Sequence, residues 1–279
     1  MFVAQLAQRG ARLSSPVLAF TRLFGLVRAA EVYSAFLLGK GSGAGWDSAG
    51  EAAALKSVSP NGPLTIFDVG ANDGTWAVQL AKLLGRPDNR FFLFECAPYC
   101  YDGLDKRWAQ IPNPLLEKCA ISDMIGTATL HMPTRGSGLA SLHARGDKCV
   151  VQEQYETIVV DTTTLDAMAE KHGIDRIHIL KMDIEGHELA ALHGAERLLT
   201  EGRIDAIQFE FGSANVNSRT FFRDFWSLLS ERYGYSINRI LPGGRLLPVR
   251  SYYEDLEYFR GATNYLATSG ATLTLASLV

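Results

Sequence analysis

Thr65-Ile66-Phe67-Asp68-Val69-Gly70-Ala71-Asn72-Asp73-Gly74-Thr75-Trp76 is the stretch that decides the fold of this chain. Thr65–Val69 is a short apolar run of strand type. It enters a turn that carries glycines at its first and fifth positions, and helical periodicity follows directly over Thr75–Leu84, closed by Gly85 and Pro87. A strand, a glycine turn and a helix in this order form the opening unit of a doubly wound sheet, whose ligands sit at the carboxyl ends of the strands. Gly70 and Gly74 permit a tight turn and close approach of a ligand, and amides at the helix start offer donors to a carboxylate or a phosphate. A purely structural turn fits these residues equally well.

The same alternation continues outward. Strand-length runs are predicted at 90–95, 115–121, 177–184 and 204–211, with shorter ones at 127–132 and 157–161 and a final pair at 235–241 and 263–267. Helical spacing is predicted over 99–108, 165–172, 187–200 and 218–233. Runs such as Ile66-Phe67-Asp68-Val69 and Ala206-Ile207-Gln208-Phe209 suggest strands covered on both faces. The fold class is therefore α/β, an open and mostly parallel sheet with crossover helices.

Glu95 stands twenty-one residues beyond Gly74, at the end of the second predicted strand. An acid there can accept both hydroxyls of a ribose. The turn lacks G-x-G-x-x-G, and a pyrophosphate needs the middle glycine for close passage. NAD and FAD are thereby disfavoured relative to a nucleoside with a small charged tail, of which S-adenosyl-L-methionine is an example.

Asp68-Val69-Gly70-Ala71-Asn72-x-Gly74, Glu95 in Phe-Glu-Cys-Ala-Pro, Ala120-Ile121-Ser122-Asp123 and Lys181-Met182-Asp183-Ile184-Glu185-Gly186-His187-Glu188 together resemble the FkbM-type methyltransferases. The ordered resemblance runs from about Thr65 to Phe211 and less clearly to Leu266, and the Lys-x-Asp-x-Glu-Gly-x-Glu block is its specific part. One departure is Cys96-Ala97 between the acid and Pro98, where the family usually has Pro directly. The resemblance implies a Rossmann-like class I fold with seven strands in the order 3-2-1-4-5-7-6 and an antiparallel last strand. It also implies S-adenosylmethionine-dependent O-methyl transfer to hydroxyls of sugars, glycans or other natural products. Asp68, Gly70, Asn72 and Gly74 would then line the methionine moiety, Glu95 would bind the ribose, and Ala120, Ile121 and Ser122 would border the adenine.

Along an extended segment side chains alternate, so Asp183 and Glu185 share a face, and His187 joins them if extension continues past Gly186. Methyl transfer to oxygen requires in-line positioning and removal of the hydroxyl proton. His187 suits the base role near neutral pH, with Asp183 or Glu185 orienting it or taking the proton itself; a helix-start residue without a catalytic part is the bland alternative. Asp183, Glu185 and His187 would also suit Mg or Mn, but their spacing is not diagnostic and no metal is assigned. Glu188 reads as a favourable charge in the first helical turn. Glu210 is assigned to substrate contact beside Glu185, and His193 to surface or packing. Phe221, Phe222, Phe225, Trp226 and Leu229 have the spacing of a core helix. Tyr252, Tyr253, Tyr258 and Phe259 fit either an acceptor pocket or packing. The loop 134–146, with Arg135, Ser137, Ser141, His143 and Arg145, reads as a cover over the site or as a surface excursion.

Composition bounds the remaining choices. The chain has 279 residues, 47% apolar and 20% charged, and a net charge of −3, which argues against nucleic-acid binding through a broad basic face. Four cysteines (Cys96, Cys100, Cys119 and Cys149) form no disulfide framework and fit a reducing, cytoplasmic setting. Residues 1–46 hold Arg9, Arg12, Arg22, Arg28 and Lys40 against Glu31 alone, a net of +4 that leaves −7 for the rest. Leu13, Val17, Phe20, Phe24 and Val27 follow helical spacing, as for a helix packed on the domain or a partner; peripheral membrane contact through residues 1–38 and organelle targeting are competing readings. Gly39-Lys40-Gly41-Ser42-Gly43-Ala44-Gly45 reads as a flexible joint. The division expected is an extension at 1–60, a methyltransferase domain at 61–270 and a tail at 271–279. The competing functional classes are a non-catalytic nucleoside-binding partner module and an NAD-dependent oxidoreductase.

Overall fold

In the computed structural model, residues 23–41, 48–134, 138–146 and 155–270 are described. Eleven strands are found among them: β1 (Thr65–Val69), β2 (Arg90–Phe94), β3 (Pro114–Glu117), β4 (Ala120–Ile121), β5 (Gly126–Met132), β6 (Glu156–Thr163), β7 (Ile177–Met182), β8 (Ile204–Gly212), β9 (Ser236–Ile240), β10 (Leu246–Val249) and β11 (Ala262–Thr268). Eight build one sheet in the order β10-β9-β11-β8-β7-β1-β2-β3, and β4-β6-β5 form a second, small sheet. β3, β2, β1, β7 and β8 pair in parallel, while β11 runs antiparallel to both β8 and β9. Read from β3 to β9, this is the order 3-2-1-4-5-7-6 with its antiparallel last strand. β10 adds an eighth strand at the edge, antiparallel to β9.

Alternate residues of β1 enter two different cores, which accounts for its unbroken apolar character. Phe67 and Val69 join Leu165, Leu180, Leu192, Leu198, Phe209 and Phe225 on one face. Ile66 joins Leu80, Leu93 and Ile179 on the other, where the helix Ser48–Val58 contributes Ala52, Ala54, Leu55 and Val58. Residues 48–58 therefore belong to the body of the fold and not to an extension, a correction to the boundary at residue 60. Their small apolar side chains lie flat on Thr75–Leu84, a contact that a low-amphipathicity segment does not reveal from its sequence. Gly39 and Gly41 are also packed rather than loose. Gly41 donates its amide to Thr263 Oγ1 at 3.2 Å, and a Cβ on Gly39 would meet the Ile240 carbonyl at 2.7 Å.

Three predicted elements divide. The run 115–121 changes sheets: β3 pairs with β2, and β4 pairs with β6. The helix 187–200 breaks into Glu188–His193 and Glu196–Thr200 at Gly194, where a Cβ would stand 2.1 Å from the Ser122 carbonyl. The helix 218–233 starts only at Phe222 and passes from Phe222–Phe225 into a π-helical turn at Trp226–Arg232, with a separate short helix, Ala214–Ser218, before it. Phe222, Phe225 and Leu229 are buried, as their spacing indicates, while Phe221 is exposed. Of the basic N-terminal segment, the helix Leu23–Leu37 is described; Leu26, Tyr33 and Leu37 are exposed and Ala35 is buried. Leu13, Val17 and Phe20 lie outside the described residues, as do Arg135, Ser137, Cys149 and the tail from 271. Among the described residues no helix is long and apolar enough to cross a membrane.

Candidate functional site

A cavity of about 260 Å³ opens at the carboxyl ends of β1, β2 and β7, where the sheet order reverses. Gly70, Asn72, Glu95, Ala120, Ile121, Asp183 and His187 all line it, as do Glu51, Trp76, Tyr99, Lys181 and Leu142. Asp68, Gly74, Ser122, Glu185 and Glu210 are not among the residues that line it.

The glycine turn serves the protein before any ligand. Gly70 has φ +79°, and a Cβ there would lie 2.0 Å from the Asp183 carbonyl. Side-chain-free backbone is thus required for β1 and β7 to meet. Gly70 and Ala71 donate their amides to the Phe94 carbonyl, Asn72 to Glu95 Oε2, Gly74 to the Ala71 carbonyl, and Thr75 to Asp73 Oδ1. These five amides are therefore engaged inside the chain. Glu95 is buried and accepts at each oxygen, from Asn72 N at 2.8 Å and Ala97 N at 2.7 Å. Burial raises its pKa, and the backbone bonds of Ala97, Asn72 and Cys96 oppose the rise. The backbone amides of Ala97, Asn72 and Cys96 take up three of the carboxylate's about four acceptor positions, which leaves about one for a ribose hydroxyl.

Asp68 is fully buried, with Oδ1 3.3 Å from Lys181 Nζ and Oδ2 unpartnered. Desolvation raises its pKa against the pull of Lys181. Burial opposes the charge of Lys181, but the carboxylates of Asp68, Asp183 and Glu51 outweigh it and keep the ammonium protonated. Lys181 also stands 3.5 Å from Asp183 and over the Trp76 ring at 5.3 Å. Among the described lining residues there are four acids, Glu51, Asp73, Glu95 and Asp183, and one lysine, Lys181, so the cavity is acidic.

The expected triad Asp183, Glu185 and His187 is taken apart by the turn after β7. Extension stops at Met182, and Glu185 and Gly186 have φ +53° and +96°. Glu185 then points away from the cavity onto Arg145, 2.7 Å distant. Glu188 folds back to accept from the amides of Ile184 at 3.0 Å and Gly186 at 3.3 Å. Burial pushes its pKa up to about 8, so its role is closure of the turn and not a helix-start charge. His187 Nε2 lies 2.9 Å from Ser122 Oγ and Nδ1 lies 3.0 Å from His143 Nε2. Burial, with His143 beside it, brings its pKa down to about 4. Glu210 sits behind the wall; burial and then Asp183, Glu185, Glu188 and Glu51 raise its pKa well above the ordinary range.

Residues 138–146 lie over the cavity. Gly138, Ala140, Ser141 and Leu142 line it, Gly138 presses on Asn72, and Ser141 Oγ donates to the Glu185 carbonyl at 2.8 Å. Tyr252, Tyr253, Tyr258 and Phe259 do not line the cavity. Phe259 packs edge-on against Phe211 and Tyr252 donates to Glu257, whereas Tyr253 and Tyr258 are exposed. His193 is exposed. No group of three or more His, Cys, Asp or Glu side chains among the described residues is placed to hold a metal ion. Glu51 escaped sequence reasoning, since it lies in a weakly patterned helix. Its carboxylate accepts from Gln208 Nε2 at 2.9 Å and Asn264 Nδ2 at 2.6 Å.

The family model for the methyltransferase FkbM domain matches residues 68–237. The chain belongs to the FkbM methyltransferase family. Among curated relatives of this FkbM chain is the 2-O-methyltransferase NoeI of Sinorhizobium fredii, 30% identical over 148 residues that make up 50% of this chain and 60% of that protein. Methyltransferase sdnD of Sordaria araneosa is 26% identical over 163 residues, 49% of this chain and 62% of that protein. The FkbM chain thus matches less than two thirds of either relative's length. A methyltransferase FkbM from Methylobacillus flagellatus KT is similar in structure, with a TM-score of 0.47 and 17% identity over 74% of this chain and 43% of that one.

Proposed function

We propose that this FkbM domain is an S-adenosylmethionine-dependent O-methyltransferase whose acceptor is a hydroxyl of a sugar, glycan or other small molecule. The observation that carries the reading is the donor set of the cavity. Glu95 keeps an acceptor position for a ribose hydroxyl, the amides of Gly70, Ala71, Asn72, Gly74 and Thr75 are engaged inside the chain, and the surrounding carboxylates favour a cationic tail. These residues fit S-adenosylmethionine better than NAD. Glu95 would hold the ribose, Ala120 and Ile121 would border the base, and Gly70, Asn72 and Asp183 would meet the amino-acid end. Bound there, the group supplies an electrophilic methyl.

The chain itself positions the acceptor and takes its proton. His187 lines the cavity and is neutral at pH 7, as a proton acceptor must be, and Asp183 is the second acceptor group open to the cavity. Glu185 is committed to Arg145 and leaves the acid/base set. The O-methyl assignment is supported by NoeI, which is named a 2-O-methyltransferase.

Calorimetric titration of the whole chain tests the reading. S-adenosylhomocysteine is expected to bind and NAD to fail. Glu95→Ala should weaken binding by tenfold or more, since hydrogen bonds to a charged group are worth about 1.5–3 kcal/mol. Binding of NAD but not S-adenosylhomocysteine would reverse the conclusion.

A further inference from the structure

Ser122 and Asp123, directly after β4, begin a chain of hydrogen bonds that passes through His187 to the segment over the cavity. The Ser122 hydroxyl donates to Asp123 Oδ1 at 2.9 Å and also stands 2.9 Å from His187 Nε2. A hydroxyl has one proton, and an ionised carboxylate only accepts. With that proton directed at Asp123, the contact to His187 is a hydrogen bond only if Nε2 carries the hydrogen. Neutral imidazole has a single N–H, so Nδ1 is left with its lone pair. His143 Nε2, 3.0 Å from Nδ1, is then the donor to it. Donation runs in one direction, from His143 to His187 to Ser122 to Asp123.

We propose that Asp123 and Ser122 are positioning residues that fix His187 as its Nε2–H tautomer, and that His143 occupies the basic Nδ1 until an acceptor hydroxyl replaces it. This rests on the reading of His187 as the proton acceptor. On replacement, the hydroxyl proton passes to Nδ1 while its bonding pair stays on the oxygen. The imidazolium so formed still donates from Nε2 to Ser122, with the Asp123 charge behind it. Asp123 holds the Ser122 proton away from His187; without it the hydroxyl can rotate and donate to Nε2 instead. His143 comes from the residues that cover the cavity, so the covering segment and the acceptor compete for one lone pair. Neither Ser122 nor Asp123 lines the cavity, which separates their part from cofactor contact.

The test is a two-bond 1H–15N correlation spectrum of the full chain labelled in its histidines, at pH 7. His187 should appear protonated at Nε2, with Nδ1 in the unprotonated range. Asp123 is exposed, so Asp123→Ala should fold normally, yet the tautomer ratio should drop from about ten to one to near parity, the scale of one net hydrogen bond. Ser122→Ala should do the same, whereas His143→Ala should keep Nε2–H and move only the Nδ1 shift. A wild-type His187 protonated at Nδ1, or an Asp123→Ala spectrum identical to wild type, would overturn the proposal. Titration with S-adenosylhomocysteine keeps the two readings apart: Asp123→Ala should bind it as wild type does, and failure of the wild type to bind would count against the methyl-donor site alone.

Discussion

At the scale of single residues, the turn after β7 shows how one position takes a role from its surroundings. Glu188 is the last acid of the Lys-x-Asp-x-Glu-Gly-x-Glu block, and its carboxyl closes that turn on the amides of Ile184 and Gly186. Its second oxygen is buried without a partner, and burial raises the pKa to about 8. The unfolded chain releases this proton near the ordinary value of 4.5, the folded one only near 8. Between these values the folded state holds the extra proton, so stability present below pH 4.5 is lost as pH rises toward 8. Glu188→Gln keeps the acceptor oxygen and removes the titration. Its stability relative to wild type should therefore rise from pH 5 to 8, with a limiting slope of about 1.4 kcal/mol per unit. Urea midpoints of both proteins across that range check this, and a constant difference would show that Glu188 is ionised in the fold. Gly70 teaches the same lesson: its lack of a side chain serves the Asp183 carbonyl.

At the scale of elements, the helix Ser48–Val58 matters most, because it lies outside the family match yet completes the cavity. Leu55 is fully buried among residues of Thr75–Leu84 and the back of the sheet. Leu55→Ala should cost about 2–5 kcal/mol, the usual range for a buried leucine truncation, read from denaturant unfolding. An unchanged midpoint would mean that the helix is dispensable packing. Its exposed-looking composition hid this, since alanine-rich segments carry little periodic signal. Thr65–Val69, Arg90–Phe94 and Ile177–Met182 were legible as strands because buried parallel strands are apolar on both faces. The breaks at Gly194 and Arg219 were not, because each depends on a contact or a backbone angle set by distant chain.

At the scale of the whole molecule, two sheets meet at one cavity, and residues 138–146 bridge them. They are held by Arg145 on Glu185, by Ser141 Oγ on the Glu185 carbonyl, and by the backbone pair of Ser141 with His131 on β5. The ion pair is largely shielded from water, where removing one partner strands the other charge at about 3–5 kcal/mol. Arg145→Ala should accordingly speed amide exchange at Ser141 and His143 by about a hundredfold or more, with a smaller change in the central strands. Equal acceleration everywhere would make Arg145 a general stabiliser and not a local tether.

The sequence by itself determined the doubly wound sheet, the glycine turn, the acid at the end of β2 and the family, because apolar periodicity and motif spacing are local properties of the chain. Gly70, Asn72, Glu95, Ala120, Ile121, Asp183 and His187 were singled out by their motifs, and the fold brings them to one cavity. Only the tertiary structure decided that Glu185 turns to Arg145, that Asp68 is buried on Lys181, that Ser122 stands behind His187, and that Glu51 reaches the cavity from outside the motifs. Side-chain direction past the end of a strand depends on positive φ angles at Glu185 and Gly186, and charge pairing depends on residues tens of positions away. Neither is written in spacing.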